Sequence, residues 1–149
     1  MEALIKLLDE NLRYVRHEID TDTIKITVKS AKEEVSCPYC KTSSSKVHSK
    51  YERKFKDLPI QGKKVVIQLK NRKMFCKNPE CSHKTFAETF EFLPNSSKMT
   101  TRLEKEVLRI SLNCSSVTSS KLLRYGIVDI GKSSICRLIK KQKFKFEQN

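Results

Sequence analysis

"CPYC" at residues 37–40 and "CKNPEC" at residues 76–81 decide how this chain is read. Each holds two cysteines, separated by two or four residues, with a proline between them at position 38 or 79. Both spacings fall in the range of structural zinc sites, because so short a turn aims two thiolates at one ion. Tetrahedral Zn²⁺ takes four ligands, and thiolate suits its borderline softness. Cys37, Cys40, Cys76 and Cys81 are therefore the candidate ligands of one structural Zn²⁺. Buried, unliganded cysteines or a redox pair are the alternatives. Two pairs at ligand spacing, both in polar turns, favour metal over either. A shell closed by four sulfurs leaves no position for water, so such zinc folds a domain and does not catalyse. His48 and His83 could compete as ligands, yet four thiolates already complete the set. Cys114 and Cys136 lack a partner at ligand spacing and read as small, partly buried side chains.

The segments around the cysteines read as strands. "YVRHEIDTDTIKITVKS" (14–30) alternates weakly and turns at Asp20–Asp22, which predicts a β-hairpin. "SKVHSKYERKFKDLP" (45–59) alternates through Val47, Tyr51 and Phe55. "VVIQLKNRKMF" (65–75) puts Val65, Ile67 and Leu69 on one face. Gly62 supplies the turn between them, being free to take positive φ. Two cysteine turns at the ends of antiparallel strands describe a zinc ribbon, with a core over 35–90 inside a β-rich domain over 1–93. Ahead of it, "MEALIKLLDENLRY" reads as a short amphipathic helix with Leu4, Leu7, Leu8 and Leu12 on or near one face.

Near "LPNSSKMT" (93–100) the composition changes, and residues 94–100 read as a linker. Helical spacing follows. "TRLEKEVLRISLN" places Leu103, Val107 and Ile110 on one stripe, with Thr101 and Glu104 as a capping-box pair. "SSVTSSKLLRYG" reads as a second helix, capped by Ser115 or Ser116 and stopped by Gly126. "KSSICRLIKK" carries a third stripe of Ile135, Leu138 and Ile139. The expected fold is α+β: the small zinc-ribbon domain, then a three-helix helix-turn-helix domain over 101–142, then a basic tail over 143–149.

"GIVDIGKS" (126–133) matches a phosphate-binding loop letter for letter. Such a loop must follow a buried strand and open a helix. Here helical spacing precedes it, bulky Ile127, Val128 and Ile130 fill it, and Asp129 would sit beside the phosphates. No bound nucleotide is expected. As the turn of a helix-turn-helix the same letters make sense: Ile127 and Ile130 point inward, and Gly131 or Lys132 starts the last helix.

The net charge of +14 is unevenly placed. Residues 1–35 hold six basic and eight acidic groups; 36–99 hold fourteen and five; 100–149 hold eleven and four. A basic surface that starts where the cysteines start favours a polyanionic partner, double-stranded DNA first. On the third helix Lys132, Ser133, Ser134, Arg137, Lys140 and Lys141 are the candidate DNA contacts, since small polar and basic residues near a recognition-helix N-terminus can reach base edges and phosphates. Lys63, Lys64, Arg72 and Lys73 in the ribbon are candidates for a secondary DNA contact. No stretch approaches the roughly 20 apolar residues of a membrane span, so no membrane partner is expected. The cysteine usage fits a reducing cytoplasm, with nucleoid association following from DNA binding.

"VSCPYC", "SSKVHSKYERKFKDLPIQGKKV", "NRKMFCKNPEC", "KTFAETF" and "KSSICRLIKK", in this order and spacing, resemble the start of the ISL-three family of bacterial insertion-sequence transposases. The resemblance implies a zinc-binding domain and a helix-turn-helix ahead of a DDE catalytic domain of RNase H type. It also implies Cys37, Cys40, Cys76 and Cys81 as zinc ligands, transposon terminal inverted repeats as the DNA partner, and full-length transposase as a further partner. The catalytic carboxylates of the family lie beyond the region matched, so this chain is expected to be the DNA-recognition front of a transposase, truncated before the enzyme. "QKFKFEQN" departs from the family's continuation. A free-standing zinc-containing DNA-binding regulator, of transcription or of transposition, is the rival reading.

Overall fold

The computed structural model describes residues 1–147. In chain order the elements are α1 (Glu2–Lys6), β1 (Leu12–Ile19), β2 (Thr23–Ser30), β3 (Val35–Ser36), β4 (Ser43–Ser44), β5 (Val47–Ile60), β6 (Lys63–Phe75), β7 (Thr85–Ala87), α2 (Thr101–Ser111), α3 (Ser116–Arg124) and α4 (Lys132–Glu147). The result is a β-rich sheet, a small cysteine-bearing ribbon and three longer helices.

Apolar alternation sets the sheet. Ile24, Ile26 and Val28 of β2 and Val65, Ile67 and Leu69 of β6 are all buried on one face. These two strands pair in parallel, with Ile24 beside Val65, Ile26 beside Ile67 and Val28 beside Leu69, so the buried rows coincide. On either side the neighbours are antiparallel hairpin partners, giving the order β1-β2-β6-β5. Gln61 (φ 48°) and Gly62 (φ 76°) close the β5–β6 hairpin, both left-handed as a two-residue turn of this twist requires. Ile5, Leu12, Phe55, Phe92 and Leu93 complete the core beneath the sheet. β7 pairs with the far end of β6, beyond the reach of β2.

The N-terminal helix differs from expectation. It ends at Lys6, Ile5 is the residue it buries, and Leu4 and Leu7 are 44% and 75% exposed. The cause is Asp9, whose carboxylate accepts the Asn11 N–H while its carbonyl accepts the Leu12 N–H. That turn delivers Leu12 to the core as the first residue of β1.

The segment expected as a linker is stitched to β5. Lys56 donates its N–H to the Lys98 carbonyl and accepts the Thr100 N–H. Thr100, fully buried, then caps α2 by accepting the Leu103 N–H. The cap is thus Thr100 and not Thr101, because the contact with β5 holds Thr100 extended (φ −67°, ψ 154°). Glu104, the other half of the expected capping box, instead accepts from the Ser97 hydroxyl.

Ser115 caps α3, and Gly126 (φ +82°) follows its end. Leu103, Val107, Leu123, Val128, Ile130 and Ile135 form a second core shared by α2, α3, α4 and the turn before α4. Val128 and Ile130 are the buried turn residues; Ile127, expected inward, is only half-buried. α4 begins at Lys132 and runs through Glu147, so residues 143–147 of the expected tail are helical, and 148–149 lie outside the described residues.

Candidate metal centre and nucleic-acid interface

Two turns build the metal centre. β3 and β4 pair across "CPYC", where the Cys37 N–H donates to the Thr42 carbonyl (2.9 Å) and the Lys41 N–H to the Cys37 carbonyl (2.8 Å). Lys41 takes φ 65°, folding the chain back after Cys40. The second turn joins β6 to β7. Here the Cys76 N–H donates to the Lys84 carbonyl (2.8 Å) and the Cys81 N–H to the Asn78 carbonyl (3.1 Å). The Asn78 side chain adds a bond from the Glu80 N–H (3.0 Å). Met74 and Phe86 pack beneath, with Cys37 itself fully buried.

All four sulfurs lie within 4.8 Å of one another, with Cys40–Cys76 at 3.5 Å and Cys37–Cys81 at 4.0 Å. A tetrahedron of sulfurs about 2.3 Å from zinc has edges of about 3.8 Å. Disulfides, at about 2.05 Å, are excluded by the same distances. The donor set fits a single structural zinc ion held by Cys37, Cys40, Cys76 and Cys81. Bound there, the ion supplies positive charge and a four-way cross-link.

The thiols show why that charge is needed. Hydrogen bonds from the Thr42 side chain and backbone bring Cys40 down to about 6. At Cys76 the backbone of Asn78 favours the thiolate, but desolvation and the neighbouring thiols outweigh it and push the group up to about 12. At Cys81 the backbone of His83 favours the thiolate, and desolvation with the Cys40 sulfur again raises the group on balance. Cys40 forms a thiolate easily, while Cys76 and Cys81 resist without a cation beside them.

Neither histidine joins the sulfur cluster. His83 stacks on Tyr39 with ring centres 3.5 Å apart and planes 5° from parallel, tying one cysteine turn to the other. His48 lies edge-on to Phe75. Nothing in the residue spacing announces the Thr42 bond or the Tyr39–His83 stack, since each depends on how the two turns meet. Cys114 and Cys136 are half-buried in the helical part, with Cys136 against the Ser116 hydroxyl at 3.5 Å.

With this geometry the ribbon can be compared with known families. Residues 33–84 match the family model for the zinc-finger of transposase IS204/IS1001/IS1096/IS1165. The ribbon is thus of the transposase type, which points to a transposase-derived DNA-binding role. No curated protein and no solved structure matches the chain.

The expected DNA contacts divide into two groups. On α4, Lys132, Ser133, Arg137, Lys140 and Lys141 are exposed, and Ser134 is half-buried with its hydroxyl 3.4 Å from Arg137. Ile135 on the opposite side is fully buried. The basic side chains of α4 make no ion pair among the described residues.

The secondary set is mostly engaged elsewhere. Lys63 donates to the carbonyls of Asp20 and Thr21. Lys64 pairs with Asp129 at 3.0 Å, and Arg72 with the buried Glu88 at 2.8 Å. Glu88 also accepts from Ser30, and Arg72 donates to the Lys32 carbonyl, so this guanidinium is a brace between strands. Of the four only Lys73 is exposed. Local sequence hides these partners because they come from distant segments.

"GIVDIGKS" follows α3 and not a strand, and its last two residues, Lys132 and Ser133, open α4. The Asp129 carbonyl accepts from Lys56 (2.6 Å) while its carboxylate holds Lys64, which seats this turn on the sheet. Among the described residues no helix is long and apolar enough to cross a membrane.

Proposed function

We propose that this chain recognises transposon ends, with α4 as the recognition helix, seated on the sheet through the turn at Asp129. The observation carrying this reading is the transposase zinc-finger match over residues 33–84, on a chain whose α4 presents an unpaired basic face. The three helices around Leu103, Leu123 and Ile135 then serve as a helix-turn-helix. Its connection, residues 125–131, is longer than the three or four residues of the tightest such motifs. Recognition, not strand chemistry, is the role assigned, and four thiolates on the zinc agree with a structural ion. The DNA partner is the terminal inverted repeat of an insertion sequence.

Arg137 lies one turn after Ser133 on the exposed side of α4, where a guanidinium can pair bidentately with guanine. Fluorescence-anisotropy titrations against element-end and scrambled duplexes test this. Arg137→Ala should cost about 1–3 kcal/mol on the preferred duplex and flatten the preference at one base pair. Unchanged affinity and preference would reduce the three helices to a packing unit.

A further inference from the structure

We propose that the open face of the β1-β2-β6-β5 sheet, at its zinc-proximal end, is a second duplex-DNA contact that grips the sugar–phosphate backbone. It rests on the DNA-binding reading above and adds a surface that reading does not include. The observation is a row of cations set side by side by strand register. Arg13 of β1 is the direct partner of Lys29 of β2, and Lys29 is the direct partner of Lys70 of β6. Like charges directly opposite each other on one sheet face destabilise it. Three in a row across three strands is an arrangement that an external anion relieves.

The sheet does not supply that anion. Arg13, Lys29, Lys70 and the nearby Lys50 are exposed, and none makes an ion pair among the described residues. Glu52 stands opposite Lys70 on β5, but its carboxylate is turned to the Gln68 amide. Arg72 is neutralised by Glu88 and fixed as one wall. The four cations line a groove of about 330 Å³, with Arg72 and a single exposed carboxylate, Glu33.

The lining chemistry selects the ligand. The groove contains no aromatic side chain on which a base could stack, which argues against single-stranded nucleic acid. Flexible ammonium groups and one guanidinium suit phosphate oxygens, read without regard to sequence. Position agrees as well. The same sheet face carries, at Lys56 and Lys64, the turn that leads into α4. Lys64 and Lys70 are six residues apart on one strand, roughly 20 Å at strand rise. One duplex turn of about 34 Å covers that distance.

The test uses the zinc-loaded full chain and the Lys29→Gln/Lys70→Gln double variant, titrated against element-end and scrambled duplexes from 50 to 200 mM salt. Each lost phosphate contact lowers the log–log salt slope by about one. The double variant should therefore be shallower by about two, and its ratio of affinities at 50 and 200 mM should shrink about tenfold. Sequence preference should not change, in contrast to Arg137→Ala. Without DNA, its melting temperature should match or exceed that of the unaltered chain, since like-charged neighbours have been removed. Full affinity and an unchanged slope would overturn the groove while leaving DNA binding through α4 intact. A loss accompanied by a fall in melting temperature would also overturn it. No duplex binding by the unaltered chain would remove the DNA-binding reading and this surface together.

Discussion

Replacing Cys76 by serine removes one thiolate from the sulfur cluster and should open the ribbon while sparing the sheet. The ribbon's own core is small: Met74 and Phe86, with the Cys37 side chain, are its buried apolar groups. Burying two such large side chains contributes about 3–6 kcal/mol. Ordering the ten residues of the two cysteine turns costs about 10–20 kcal/mol in backbone entropy. The shortfall of roughly 5–15 kcal/mol is of the size a structural zinc ion supplies, about 10–16 kcal/mol. The sheet stands apart, with its own cluster from Ile5 to Leu93. Hydrogen exchange read by mass spectrometry distinguishes the two. In Cys76→Ser the amides of Cys37 and Cys81, one in each cysteine turn, should lose protection by at least about 10³-fold, equivalent to about 4 kcal/mol. Those of β2 and of residues 64–70 should keep theirs. Retained protection in the ribbon would refute the metal's role, and parallel loss in the sheet would refute its independence.

Zinc affinity should fall as pH falls, because the metal competes with protons for the sulfurs. Loading at pH 7 should release protons from Cys76 and Cys81, whose thiols are raised, and the fall should steepen below about pH 6, where Cys40 is protonated as well; calorimetry in buffers of different ionisation enthalpy reads this. Arg102→Ala strips Asp57, a carboxylate 4% exposed, of its guanidinium and leaves the Thr100 hydroxyl (2.8 Å) as its remaining side-chain donor. Breaking a buried pair costs about 3–5 kcal/mol, and because Arg102 is itself 37% exposed we expect about 2 kcal/mol in urea denaturation; less than about 0.5 kcal/mol would count against the latch between β5 and α2. Gly126→Ala should cost about 1–2 kcal/mol, since the position is left-handed and the new Cβ would meet the Gly62 carbonyl at 3.2 Å. An unchanged denaturation midpoint would show that this approach is looser than it stands.

Much of the molecule was legible because its signals are local. Cysteine spacing over a few residues is enough to name the metal ligands, since a short turn fixes where two sulfurs go. Period-two alternation marked β2, β5 and β6, and the glycine at 62 marked the hairpin between the last two. The basic face of α4 followed from helical spacing, with Ile135 turned inward. Other features depend on which distant segments share a buried face, and no one strand carries that information. The parallel pairing of β2 with β6 arises because their apolar rows can be buried together, across a long intervening chain. The pairing of β7 with β6 spends Arg72 on Glu88, while the seating of the helical turn spends Lys64 on Asp129, so two residues that read as free cations are structural. The register of β1, β2 and β6 brings Arg13, Lys29 and Lys70 into one row, although along the chain they are far apart, each among apolar and uncharged polar neighbours. Charge type belongs to the sequence. Whether a charge is spent inside the fold or left free to meet an anion is decided by tertiary packing, because a counter-ion need only be near in space.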